Sequence, residues 1–110
     1  MKPVITYADF EKLDFRVGRI AAASAPDWSN KLLRFEVDFG QEIGKRIMFS
    51  GIRKWYEPST LIGKSFVFLI NMEPKKMGEE ESAGMMIMAD AEKPVLFTLM
   101  EEVDPGSVVR

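Results

Sequence analysis

Cationic side chains stand in pairs along residues 1–76: Arg16 with Arg19, Lys31 with Arg34, and Lys75 with Lys76. Trp28 lies between the first two pairs, in the loop-like stretch Ala25-Pro26-Asp27-Trp28-Ser29-Asn30. Cations neutralise phosphates, and flat rings stack on unpaired bases for about 1–3 kcal/mol per base. Such a set suits the backbone and exposed bases of a single-stranded or looped nucleic acid. Trp55 and Tyr56 could also stack, but their setting suggests that they pack a short helix onto the core. Trp28 is the better candidate for an exposed platform. Taken singly, each of these charges reads first as a solvated surface group.

The residues needed for most catalysis are missing. The 110-residue chain has no histidine and no cysteine. That removes the commonest general base and metal ligand, as well as disulfides, thiolate zinc sites and a cysteine nucleophile. Asp14, Asp38 and Glu42 lack metal-ligand spacing. No phosphate loop, dinucleotide fingerprint or nucleophile elbow is present. No catalytic residue, metal or cofactor is expected. The net charge is −2, but it is unevenly spread: residues 1–76 hold thirteen Lys/Arg against nine Asp/Glu, and residues 77–110 hold two against eight. A basic face and an acidic end fit this division, as does ordinary solvated charge. Met1–Thr6 does not resemble a signal peptide, and the longest apolar runs, such as Phe66–Ile70, are far too short for a membrane span. A cytoplasmic protein with no membrane partner is expected.

The elements that must position these residues are short. A hydrophobic content of 46% in 110 residues supports one core, so residues 1–110 are read as a single domain. Thr6 and Asp9 have capping-box spacing before a short helix, Tyr7 to Leu13. Phe15 to Ala23 has strand character, and Gly18 inside it suggests a bulge or sharp bend. Leu33, Phe35, Val37 and Phe39 alternate with Arg34, Glu36 and Asp38, which places one row inward and the other outward. After a turn at Gly40–Gly44 comes a third strand, Lys45 to Ser50. Gly51 to Tyr56 reads as a helical turn or short helix, with another possible turn in Pro58–Lys64. Ser65 to Met72 reads as a buried central strand, Glu73 to Ser82 as a charged loop. Two more strands follow, Met85 to Ala89 and Val95 to Met100. A turn at Asp104-Pro105-Gly106 leads into a final strand, Ser107 to Arg110. Many short strands with a helical element between the third and fourth fit an all-β, five-stranded Greek-key barrel of the OB type. A small sandwich or SH3-like barrel fits the pattern too.

Phe10-x-x-Leu13-Asp14-Phe15-Arg16-Val17-Gly18-Arg19-Ile20 resembles the opening of the dimeric tRNA-binding OB-fold domains. These occur alone, at the C-terminus of methionyl-tRNA synthetases, and in cytokine-like synthetase cofactors. The resemblance continues through Lys31-Leu32-Leu33, Val37-Asp38-x-Gly40, Ser50-Gly51-Ile52 and Tyr56-x-Pro58-x-x-Leu61-Ile62-Gly63-Lys64. It ends with Asn71-x-x-Pro74-Lys75-Lys76, Gly78-x-x-x-Ser82-x-Gly84-Met85-Met86 and Val103-x-Pro105-Gly106. It covers essentially the whole chain. It implies a homodimer that binds tRNA by shape and backbone, with Lys31, Arg34, Arg16, Arg19, Lys75 and Lys76 as the cations. Ser82 and Met85 match a signature near the family's RNA surface. Read from the residues alone, Ser82-Ala83-Gly84 is equally a tight turn and Met85 equally a core residue. Ser50 and Asn71 could face RNA or satisfy barrel hydrogen bonds. Asp38-Phe39-Gly40-x-Glu42-Ile43-Gly44 is similar instead to a sister branch of secretion-chaperone-like proteins.

The expected function is non-catalytic tRNA binding that aids a synthetase or another tRNA enzyme. Two alternatives stay open: a chaperone-like dimer that grips unfolded polypeptide, and an accessory subunit of methionyl-tRNA synthetase. The apolar stretch Val95 to Met100 is the expected dimer contact.

Overall fold

The computed structural model describes residues 1–110. Ten strands and two short helices follow in order. They are α1 (Tyr7–Glu11), β1 (Phe15–Ser24), β2 (Leu33–Asp38), α2 (Gly40–Ile43), β3 (Lys45–Ser50), β4 (Ser65–Leu69), β5 (Lys75–Met77), β6 (Glu80–Ser82), β7 (Met85–Met86), β8 (Met88–Asp90), β9 (Pro94–Leu96) and β10 (Val108–Val109). A 3₁₀ turn at Pro58–Thr60 lies between β3 and β4. The main sheet runs β3-β2-β1-β4-β7, all antiparallel, and β10 also pairs with β1. This is the nearly closed all-β barrel expected of an OB-like fold.

Alternation in β2 builds the core. Leu33, Phe35 and Val37 are fully buried, while Arg34, Glu36 and Asp38 reach outward. Phe39 continues the inward row and meets Phe68 edge-to-face, with ring centroids 5.4 Å apart. Such pairs contribute about 0.5–1.5 kcal/mol beyond burial. Ile20, Met48, Phe66 and Met86 complete the centre from four other strands.

β1 is the shared spine. Its first half pairs with β4, its second half with β2, and the register shifts between Ile20 and Ala22. The bulge expected at Gly18 therefore lies three residues later, where any residue can sit. Gly18 has a different role. A Cβ there would stand 2.4 Å from Val37 Cγ1 and 2.7 Å from Phe39 Cε1. The glycine lets the β2 row close against β1.

Several element boundaries differ from expectation. The Thr6–Asp9 capping box forms, but the helix ends at Glu11. Residues Gly51 to Tyr56 make one hydrogen-bonded turn, with the Trp55 and Tyr56 amides both donating to the Ile52 carbonyl. β4 lies beside the sheet's end rather than at its centre, and it stops at Leu69. The charged loop Glu73–Ser82 contains a hairpin, β5 against β6, that sets Lys76 across from Glu81. Gly78, φ 62°, opens its turn, where hairpins favour glycine. The strand expected over Met85–Ala89 divides at Ile87 into β7 and β8. Of Val95–Met100, only Val95 and Leu96 are in a strand, β9, which pairs with β8.

The barrel is closed by backbone groups beyond these ladders. The Ala83 amide donates to the Ile47 carbonyl at 3.1 Å. At the C-terminal turn, the Gly106 amide donates to Val17 and the Val17 amide to Ser107, at 2.7 and 2.9 Å.

Candidate nucleic-acid interface

The sequence-predicted residues separate into three groups. The first gathers at a cavity of about 360 Å³ between the end of β3 and the β5–β7 region, lined by Ser50, Met72, Lys75, Met77, Ser82 and Met85 among others. Met85 is 51% exposed and offers its thioether to the cavity mouth. Ser82 is only 5% exposed, and its Oγ accepts the Phe49 amide at 3.0 Å. The hydroxyl oxygen thus helps hold β6 against β3. Lys76, on the same hairpin as Lys75, is exposed.

The second group is tied up within the fold. Arg34 does point outward, but Glu80 holds it with two bonds, Nε to Oε1 at 2.6 Å and Nη2 to Oε2 at 2.8 Å. The hydrogen bonds from Arg34 hold the Glu80 carboxyl below the usual glutamate range, and Glu80 in turn raises the guanidinium. Arg16 bonds Asp14 at 2.7 Å and the Gly106 carbonyl at 3.1 Å, linking β1 to the C-terminal turn. Arg19 bonds Glu102 at 3.2 Å. Asn71 accepts the Asp14 amide through Oδ1 at 2.9 Å and donates through Nδ2 to the Lys12 carbonyl at 2.6 Å. It clasps the chain after α1 to the end of β4.

The third group surrounds Lys31. It lines an open groove of about 670 Å³ with Asn30, Leu32, Gly51, Arg53, Lys54 and Trp55. Arg53 and Lys54 join the groove as residues not expected from the sequence, and Trp55, expected in the packing, is 41% exposed. The visible signal was the run Arg53-Lys54-Trp55-Tyr56, where two cations precede two rings. Only Tyr56 packs on the core, and its hydroxyl donates to the Pro94 carbonyl at 2.8 Å. Trp28, though 54% exposed, tilts against Phe49 with centroids 5.7 Å apart. A Cβ on Gly78 would lie 2.9 Å from its indole. Trp28 therefore rests between β3 and the tip of the β5–β6 hairpin. No three His, Cys, Asp or Glu side chains are grouped to hold a metal ion, and no helix is long and apolar enough to cross a membrane.

Comparison with known proteins shows the family to which the chain belongs. The methionine–tRNA ligase of Methanosarcina mazei is 42% identical over 110 residues, covering 98% of this chain. That of Xanthomonas campestris pv. campestris strain B100 is 47% identical over 105 residues, covering 93%. The chain spans 15% of the length of each. A methionyl-tRNA synthetase-related protein from Pyrococcus horikoshii superposes with a TM-score of 0.91 at 34% identity, over 99% of this chain and all of that one. The chaperone CsaA of Bacillus anthracis superposes at 0.86 with 28% identity, over 98% of this chain and all of that one. The family model described as "Putative tRNA binding domain" matches residues 15–108, from the first residue of β1 into β10. The chain belongs to this family of tRNA-binding domains.

Proposed function

We propose that the domain binds tRNA without catalysing a reaction and presents it to an aminoacyl-tRNA synthetase or another tRNA enzyme, working as a homodimer in the cytoplasm. The observation that carries this is the family match over residues 15–108, which takes in both cavities and all their lining residues. Lys31, Lys75 and Lys76 supply the phosphate contacts, and none of them forms an ion pair within the fold. Ser50 and Met85 form the polar and apolar parts of the mouth between them. A dimer with two linked sites raises the local tRNA concentration for whatever enzyme it accompanies.

The test is tRNA binding across a salt series. Affinity should fall steeply as salt rises, with a log–log slope that counts the phosphates neutralised. Lys31→Glu and Lys75→Glu should each weaken binding and flatten the slope. Absence of binding even at low salt would end the proposal.

A second reading draws on the methionine-lined cavity. Methionines adapt to varied apolar partners, and the resemblance to the chaperone CsaA extends over 98% of the chain. This reading expects binding of unfolded polypeptide that is insensitive to salt, and no binding of tRNA. A subunit role beside a methionyl-tRNA synthetase would instead appear as stable co-purification with the catalytic chain.

A further inference from the structure

Of the fifteen Lys and Arg side chains, Lys12, Arg16, Arg19 and Arg34 each hold a carboxylate. Among the eleven that hold none, Lys31, Arg53 and Lys54 gather in one groove in which no acidic residue takes part. Trp55 stands among them, 41% exposed, with the Lys54 ammonium 5.5 Å from its ring centroid. Three unneutralised charges repel one another, and an exposed indole forgoes burial. A ligand that is both anionic and flat would relieve both.

The groove is held in shape from behind. The Arg53 amide donates to the Lys31 carbonyl at 3.2 Å, and its guanidinium donates to the carbonyls of Pro26, at 3.0 Å, and Ser29. Ser29 Oγ accepts the Lys31 and Leu32 amides, each at 3.2 Å. The Trp55 amide donates to the carbonyl of Ile52, whose side chain is buried in the core. The indole therefore sits on an anchored turn, so little ordering is left for binding to supply.

We propose that this groove is a second RNA subsite, apart from the methionine-lined cavity, and that it takes one unpaired nucleotide. Its base stacks on Trp55, and its flanking phosphates lie against Lys31, Arg53 and Lys54. The proposal rests on the tRNA-binding reading and adds which part of the RNA is held. A base inside a duplex has both faces covered, so a stacking platform selects unpaired residues. Gly51 lines both cavities, and a Cβ there would meet nothing within 4 Å. One RNA strand can pass from one cavity to the other over this bare backbone.

The test uses the full chain with three probes: tRNA, a single-stranded RNA hexamer, and a duplex RNA of the same length. In a Trp28→Phe background, Trp55 is the only indole. Its fluorescence should be quenched by the hexamer and far less by the duplex. Trp55→Ala should weaken hexamer and tRNA binding about tenfold, in line with the loss of one stacked base, while leaving the salt slope unchanged. Trp55→Phe should restore most of the loss. Gly51→Leu should weaken binding of tRNA, which reaches both cavities, with the melting temperature kept. Unchanged Trp55 fluorescence on hexamer binding, or full tRNA affinity in Trp55→Ala, would overturn this subsite and leave the tRNA reading intact. Quenching by a poly-glutamate peptide as strong as that by the hexamer would also overturn it, in favour of an acidic protein partner. Failure of the parent protein to bind tRNA at any salt would remove both proposals together.

Discussion

Arg34 and Glu80 meet in a two-bond ion pair that joins β2 to the β5–β6 hairpin. Because Glu80 has a lowered carboxyl pKa in the fold, its contribution to stability is complete above the ordinary glutamate pKa. It is lost as pH falls through the lowered folded value. Wild type should therefore exceed Glu80→Gln in melting temperature at neutral pH, and the gap should close in acid. A gap that persists unchanged to low pH would show that the pair contributes nothing through its charge. The pair is partly exposed, so added salt should narrow the gap as well. Gly18 is a sharper case, since the Val37 methyl and the Phe39 ring occupy the space of a side chain. Gly18→Ala should cost about 1–3 kcal/mol by overpacking, read from denaturant unfolding. At this scale the sequence was legible in type but not in partnership. That Arg34 was an outward cation could be read from strand alternation, and Arg16 and Arg19 could be placed on the first strand. Their carboxylate partners Asp14, Glu102 and Glu80 could not, because the last two lie 83 and 46 positions away in sequence.

β2 was legible because one of its faces is apolar at period two, and it supplies three fully buried side chains. β3 was legible from the Gly40–Gly44 turn that leads into it, not from alternation. Phe35→Ala should remove about 3–5 kcal/mol, measured by the denaturant midpoint, since truncation takes away a fully buried ring and its packing contacts. A loss below about 1 kcal/mol would mean that the β2 row is not the core. The β5–β6 hairpin escaped notice for the opposite reason. Lys75, Lys76, Glu79, Glu80 and Glu81 show no apolar alternation, and the hairpin is held instead by cross-strand pairing, Gly78 and the Arg34–Glu80 bonds. The stretch after Leu96 misled by the converse route. Its apolar residues suggested a strand, but without a ladder partner Phe97–Met100 runs outside any strand.

At the scale of the whole molecule, the resemblance of ordered motifs across the chain pointed to the barrel and the family together, which no single motif did. The proposed dimer remains tied to the apolar stretch Val95 to Met100, which begins in β9. Val95, Phe97 and Met100 are all exposed there, Phe97 at 46%, although an apolar side chain gains by leaving water. Phe97→Asp should yield a folded monomer, with tRNA affinity lowered through loss of the second linked site, as read by light scattering and the salt series. A folded variant of unchanged dimer mass would place the contact elsewhere.

The pairing of β10 with β1 has a consequence for the order in which the molecule can be made. Phe15 and Arg16 in β1 take Val109 and Val108 as partners, so the first strand of the domain waits for its last. On a ribosome, β1 emerges first and must keep part of its edge open until some ninety further residues have been synthesised. An uncovered edge can capture another chain. Arg16, charged and set at that edge, is well placed to discourage such encounters during the interval. It then becomes a clasp, bonding the Gly106 carbonyl when the C-terminal turn arrives.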